Sequence, residues 1–204
     1  MRRRLAAAAA GLLVVLTACT ETDSGARPAD SSGTGVSRVD VDTPELREAK
    51  AVIGVEECAP GRGEDGALPA VTLACFGGGP PVDLSTLEGP LVLNFWQAAC
   101  GPCREEMPAL QEFHEQHGHE VPVIGIDFLD VAPDAAMELV EETGATYPLL
   151  ADPGGELQAT ELRPRGLPTF VFLAADGEVT MTAGGVESSD ELVDLVREHL
   201  GVDL

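Results

Sequence analysis

Apolar residues along the chain follow two different spacings, and the change from one to the other falls within residues 91–108, LVLNFWQAACGPCREEMP. Leu91, Val92 and Leu93 form an apolar run that continues through Asn94, Phe95 and Trp96. Beyond Cys100, Gly101, Pro102 and Cys103 the spacing becomes helical, with Met107, Leu110 and Phe113 three residues apart. This predicts a strand that ends at a cysteine pair, then a helix over 104–117 bent at Pro108, where the ring removes a donor and crowds the preceding turn. Upstream, Leu46, Ala49 and Ile53 share a face between Thr43-Pro44-Glu45 and Gly54, the start and stop of a short helix. Val71, Leu73 and Cys75 alternate ahead of three glycines at 77–79, and 82–84 follows as the second arm of a hairpin. Downstream the pattern predicts a strand over 121–128 and a helix over 133–142 with Ala136, Leu139 and Val140 inward. A short helical or irregular piece at 157–162 comes next, then a strand over 169–173. A turn at Asp176-Gly177 leads to a returning strand over 179–182, and Ser189 and Asp190 cap a last helix. The order β-β, β-α-β-α, β-β-α implies an α/β fold, a mixed sheet covered on both faces by crossover helices.

The first residues do not fit that domain. Arg2, Arg3 and Arg4 precede an apolar stretch over 5–15 that is too short to span a bilayer, and Leu16-Thr17-Ala18 leads into Cys19. This block resembles the processing site of bacterial lipoproteins, which implies removal of 1–18 and lipidation of Cys19. The alternative is an ordinary signal peptide with an incidental cysteine. Residues 19–38, rich in small polar residues, read as a disordered tether, 39–68 as an extension carrying the short helix, and 69–204 as the main domain. The expected place is the extracytoplasmic face of the cell membrane, held by acyl chains.

Charge narrows the partners. The full chain has 12 basic and 35 acidic residues, and losing 1–18 removes three of the basic ones, leaving a formal charge of −26. Lys50 is the sole lysine. Such a surface disfavours nucleic acid. His114, His117, His119 and His199 lie near helix ends, where imidazole can satisfy terminal carbonyls.

Cysteine usage points to the chemistry. A cysteine pair opening a helix places the first sulfur where backbone N–H groups lack intrahelical acceptors and stabilise a thiolate. Cys100 is then the low-pKa nucleophile, and Cys103, one turn further in, can resolve a mixed disulfide. With Cys19 set aside, Cys58 and Cys75 form a second pair, 17 positions apart. A structural disulfide between them would be worth about 3 kcal/mol in the chain-entropy model. A redox relay to Cys100 and Cys103 is the alternative.

The stretch from about Val71 to Leu200 is similar to the thioredoxin superfamily, and more narrowly to membrane-tethered thiol–disulfide oxidoreductases of the TlpA/ResA type. The marks are the hairpin before LVLNFW, then CGPC, REEMP, Tyr147-Pro148, GLPTFVFL and ADGEV. The resemblance implies a thioredoxin-like fold with an added N-terminal β-hairpin. It also implies a cis Pro168 facing the cysteine pair, which leaves the backbone of Leu167 free to pair with a substrate strand. Glu106, a turn after Cys103, matches a family acid that moves the proton of the buried cysteine, with Glu105 as its solvated neighbour. Asn94 stands where cytoplasmic thioredoxins have a buried aspartate. Trp96 matches an upstream family aromatic whose weightier place is the core. With Gly101, Pro102 and Leu167 it makes up the expected substrate-contact set. The chain departs from the family at Ala99, where a tryptophan usually precedes the first cysteine, which bears on substrate choice.

The expected activity is reduction of disulfides in exported proteins, apocytochrome c among the conceivable clients, with electrons returned by a membrane thiol partner and no cofactor. Gly-Pro between the cysteines is the thioredoxin pair, whose potential is about −270 mV against about −120 mV for strongly oxidising relatives. A disulfide-forming oxidase is the second reading. A copper-binding module on the same fold is the third, weakened by the close cysteine spacing and the lack of a third ligand. A peroxidase stands lower still, because no Pro/Thr/Cys arrangement surrounds Cys100.

Overall fold

The computed structural model describes residues 39–204. The lipidation site Cys19, the leader over 1–18 and the tether over 19–38 lie outside the described residues. The first element is α1 (Pro44–Ile53), with Thr43 as N-cap accepting the Leu46 N–H, proline in the first turn and Gly54 left-handed at its end. Leu46 and Lys50 are its buried residues.

Seven strands follow: β1 (Thr72–Cys75), β2 (Val82–Asp83), β3 (Leu91–Trp96), β4 (Val123–Phe128), β5 (Leu149–Asp152), β6 (Thr169–Leu173) and β7 (Val179–Ala183). They form one sheet in the order β2-β1-β5-β4-β3-β6-β7. Three helices join them: α2 (Gly101–His117), α3 (Pro133–Thr143) and α4 (Ser189–Leu200). β3, β4 and β5 are parallel, and β6, β7 and the hairpin run antiparallel to their neighbours. This is the thioredoxin-like α/β fold expected from the sequence, with the added hairpin.

Three details differ from the sequence reading. β5 was not anticipated, because Leu-Leu-Ala-Asp is four residues long, buried throughout and without alternation. It has a structural consequence, since the hairpin joins the main sheet through it, with Ala74 opposite Ala151 and Cys75 opposite Leu150. Helix α2 begins at Gly101, directly behind Cys100. The cap of α4 is Ser188, which accepts the Glu191 N–H, while Ser189 is buried.

The two faces of the sheet are covered by different material. Val92, Trp96, Phe170 and Phe172 share one apolar cluster with residues of all four helices. Leu91, Leu93, Phe95, Val171 and Leu173 point the other way, against Leu68, Leu84, Leu87, Leu157 and Leu162 from loops and short 3-10 turns. Because β3-α2-β4 and β4-α3-β5 step across the sheet in the same direction, right-handed crossovers put α2 and α3 on one side. The expectation that helices cover both faces is therefore corrected.

Candidate functional site

At the end of β3 the chain turns through residues 97–99 and enters α2 with Cys100 as its N-cap, in extended backbone geometry. Cys100 and Cys103 are joined in a disulfide. The Cys103 N–H donates to Cys100 Sγ at 3.2 Å. An orphan amide of the first helical turn thus already points at the sulfur that would carry the thiolate after reduction. Cys100 is half-buried, Gly101 and Pro102 are exposed, and Cys103 is inaccessible. One sulfur faces the surface and the other lies inside.

One turn beyond Cys103, Glu106 is also buried, while Glu105 is exposed. Asn94 Nδ2 donates to Glu106 Oε1 at 2.8 Å, but Oε2 has no partner at hydrogen-bond geometry. Burial pushes the Glu106 carboxyl up to about 8, against smaller opposing pulls from Asn94 and the Val186 backbone. Burial, and the Glu106 charge once that acid is ionised, raise the Tyr147 hydroxyl above its ordinary range. The acid under the disulfide is thus protonated at neutral pH and held near the ordinary thiol range of about 8.5.

The Leu167–Pro168 bond is cis, with Pro168 buried and Leu167 half-buried. Pro168 O accepts the Gly184 N–H at 3.1 Å. This brings the β7–α4 connection against the site. A Cβ on Gly185 would lie 3.0 Å from Glu106 Oε2 and 3.3 Å from Pro168 Cγ, so acid, proline turn and glycine form one packed group. Trp96 does not take the substrate-contact place expected of it. It is fully buried beside Gly125 with its indole N–H unpartnered, so it supports the site from below.

Several participants had no signal in the motifs. Asp130 Oδ2 accepts the Ala98 N–H at 2.7 Å and its Oδ1 accepts the Ala132 N–H at 2.8 Å. Gln97 Nε2 donates to Leu129 O at 3.0 Å. The 129–132 loop therefore holds the segment that leads into Cys100. Beneath it Asp127 is buried opposite Trp96, and burial together with the neighbouring Asp130 drives its carboxyl well above the usual range. An Ile-Asp-Phe-Leu-Asp run at a strand end was the available hint.

The second cysteine pair, Cys58 and Cys75, is bonded and nearly inaccessible. The histidines do not cap carbonyls as expected. His114 Nε2 lies 3.1 Å from Glu56 Oε1, His119 faces Glu120, and the rings of His117 and His199 pack on Phe113 and Phe172.

Fold and site together define a thioredoxin-superfamily protein of the thiol–disulfide oxidoreductase class, related to ResA. A family model described as the AhpC/TSA family matches residues 66–181, and the chain belongs to that family. Among curated proteins, the chain is 32% identical over 116 residues to the thiol–disulfide oxidoreductase ResA of Oceanobacillus iheyensis, covering 54% of this chain and 58% of that protein. It is 25% identical to the sporulation thiol–disulfide oxidoreductase A of Bacillus subtilis, covering 65% and 81%. Among solved structures, MTB DsbF aligns with a TM-score of 0.59 at 28% identity, over 66% of this chain and 98% of that one. A secreted Mycobacterium tuberculosis disulfide oxidoreductase aligns at 0.55 and 28%, over 63% and 96%. No helix among the described residues is long and apolar enough to cross a membrane.

Proposed function

We propose that this protein is an extracytoplasmic thiol–disulfide oxidoreductase that reduces disulfides in exported proteins, tethered to the membrane through Cys19. The observation that carries the reading is the graded burial of the pair. Cys100 is half-exposed at a helix N-terminus with an amide on its sulfur, and Cys103 is buried with an elevated acid one turn away. In the reduced protein, the Cys100 thiolate attacks a sulfur of the client disulfide and expels the other client sulfur as a thiolate. Glu106, in its carboxylate form, takes the proton of Cys103, whose sulfur then attacks Cys100 and releases the second client thiolate. Two electrons pass to the client, and Cys100–Cys103 is left as a disulfide. A thiol partner in the membrane must return them.

Leu167 offers its backbone to an extended client strand, while Gly101 and Pro102 form the exposed rim. Pro168 has no N–H, so its turn beside Glu106 presents no backbone donor there. Apocytochrome c is a fitting client, and the relatives named thiol–disulfide oxidoreductase support an exchange role. Equilibration with glutathione buffers decides the direction. A potential near that of thioredoxin, about −270 mV, supports reduction, whereas one above about −180 mV would make the protein an oxidase. A Cys103→Ala variant should accumulate mixed disulfides through Cys100, and their absence in cells expressing it would count against any exchange role.

A further inference from the structure

The sole lysine of the chain is 3% exposed, on the inward face of α1 beside Leu46. Its Nζ donates to Gly78 O at 2.7 Å and to Cys75 Sγ at 3.2 Å. Its one ion partner among the described residues, Glu57 Oε2 at 3.4 Å, comes from a side chain that is 76% exposed, so water screens that pair. A buried cation held against a disulfide sulfur costs desolvation and gains little while that sulfur is uncharged. It gains a second ion partner, and a buried one, once the bond opens.

The two sulfurs are placed unequally. Cys58 and Cys75 are both nearly buried, at 3% and 2% exposed. Cys58, however, borders a cleft of about 490 Å³ with Pro60, Arg62, Leu87 and Glu88, and Cys75 is not part of its lining, so a thiolate that reaches the pair does so at Cys58 through a small local opening. Cys75 faces Lys50 instead. We propose that Cys58–Cys75 is a second, exchangeable redox couple, in which Cys58 takes an incoming thiolate from the cleft and Cys75 leaves as a thiolate paired with the Lys50 ammonium. The incoming sulfur bonds to Cys58 Sγ, the Cys58–Cys75 bond breaks, and its electron pair goes to Cys75. A second thiolate of the same dithiol then displaces Cys58, so that the dithiol is oxidised and the pair reduced by two electrons. Thiol–disulfide exchange speeds up as the leaving thiol's pKa falls, and stabilising the reduced form makes a disulfide more oxidising. From sequence a second redox couple is only the alternative to a structural disulfide, because neither cysteine opens a helix. The activating group comes from 25 residues away.

The test uses the chain with Cys100→Ser and Cys103→Ser, so that its outcome is independent of the function proposed above. Dithiothreitol is added at neutral pH, samples are quenched with iodoacetamide, and opening of Cys58–Cys75 is followed by peptide mass spectrometry. Fluorescence of the single tryptophan, Trp96, reports global unfolding in parallel. Opening should occur in folded protein, slow about tenfold in Lys50→Met and stay within about threefold of the parent in Lys50→Arg. Equal rates with Lys50→Met, or opening only at the global unfolding rate, would overturn the proposal. If Lys50→Met does not fold, the pH dependence of Cys75 alkylation in a further Cys58→Ser variant decides. A midpoint below the ordinary thiol value of about 8.5 supports the pairing, and one at or above it refutes it.

Discussion

At the scale of single residues, the site is governed by carboxyl groups kept out of water. Glu106 binds its proton more tightly in the folded chain than in the unfolded one, so its contribution to stability is complete below pH 4.5 and declines as pH rises towards 8. One unit is worth about 1.4 kcal/mol, which puts the loss at about 3 kcal/mol by pH 7. Glu106→Gln keeps an acceptor for Asn94 and removes the titration. Its unfolding free energy should match the parent near pH 4.5 and exceed it by about that amount at pH 7, read from urea titrations at the two values. The same variant should exchange disulfides about 100-fold more slowly, the lower end of what a positioned proton carrier contributes. A parent stability that rises between pH 5 and 8 would show that the acid is not desolvated. Asp130 acts through the backbone. Asp130→Ala strands the Ala98 N–H, at a cost of about 1–3 kcal/mol, and frees the approach to Cys100. The expected result is a lower thermal midpoint together with slower attack by Cys100 in stopped-flow assays, and an unchanged attack rate would mean that the loop needs no clamp.

Secondary-structure elements differ in how openly the chain declares them. Helix α1 was readable end to end, because Thr43, Pro44 and Gly54 each make a local backbone choice. Cys100 and Cys103 were readable because their spacing to β3 is set by the local turn, whereas the role of Pro168 was legible only through the family resemblance. Lys50, Asp127 and Asp130 were not, since what they touch is decided by which elements the sheet order brings together. β5 fell between these cases, a short buried strand whose pattern does not distinguish it from a loop. Its register nevertheless fixes what lies under the disulfide. Gly125 sits opposite Leu149 on one side and Asn94 on the other. A Cβ there would stand 2.6 Å from Leu149 Cδ2, 3.0 Å from Trp96 Nε1 and 3.1 Å from Tyr147 Cε2. Gly125→Ala should therefore overpack three strands at once and cost about 2 kcal/mol. That is a fall of about 4–8 °C in Tm for a chain of this size. A wild-type midpoint by calorimetry would mean that β4 and β5 can slide apart without loss.

For the whole molecule, the dominant fact is a formal charge of −23, with few cations to offset it. Among the described residues, Arg47 is engaged by Asp42, Arg104 by Glu142, and Arg197 by Asp194 and Asp203. These pairs are largely exposed and add little stability individually. The remaining carboxylates repel one another, and the chain is held against that repulsion by its two apolar clusters and by the bond that ties the segment after α1 to β1. Self-repulsion between exposed charges is screened over about 10 Å at 0.1 M salt, whereas apolar burial is not weakened by it. Raising sodium chloride from about 10 mM to 300 mM should therefore raise the Tm, by about 3 °C or more, with most of the gain complete by 150 mM. The shift should shrink as pH is lowered towards the isoelectric point of about 4.2, where the net charge vanishes. A Tm that falls with salt at neutral pH would mean that the surface ion pairs outweigh the repulsion. The acidic surface would then be a stabilising network and not a load on the fold.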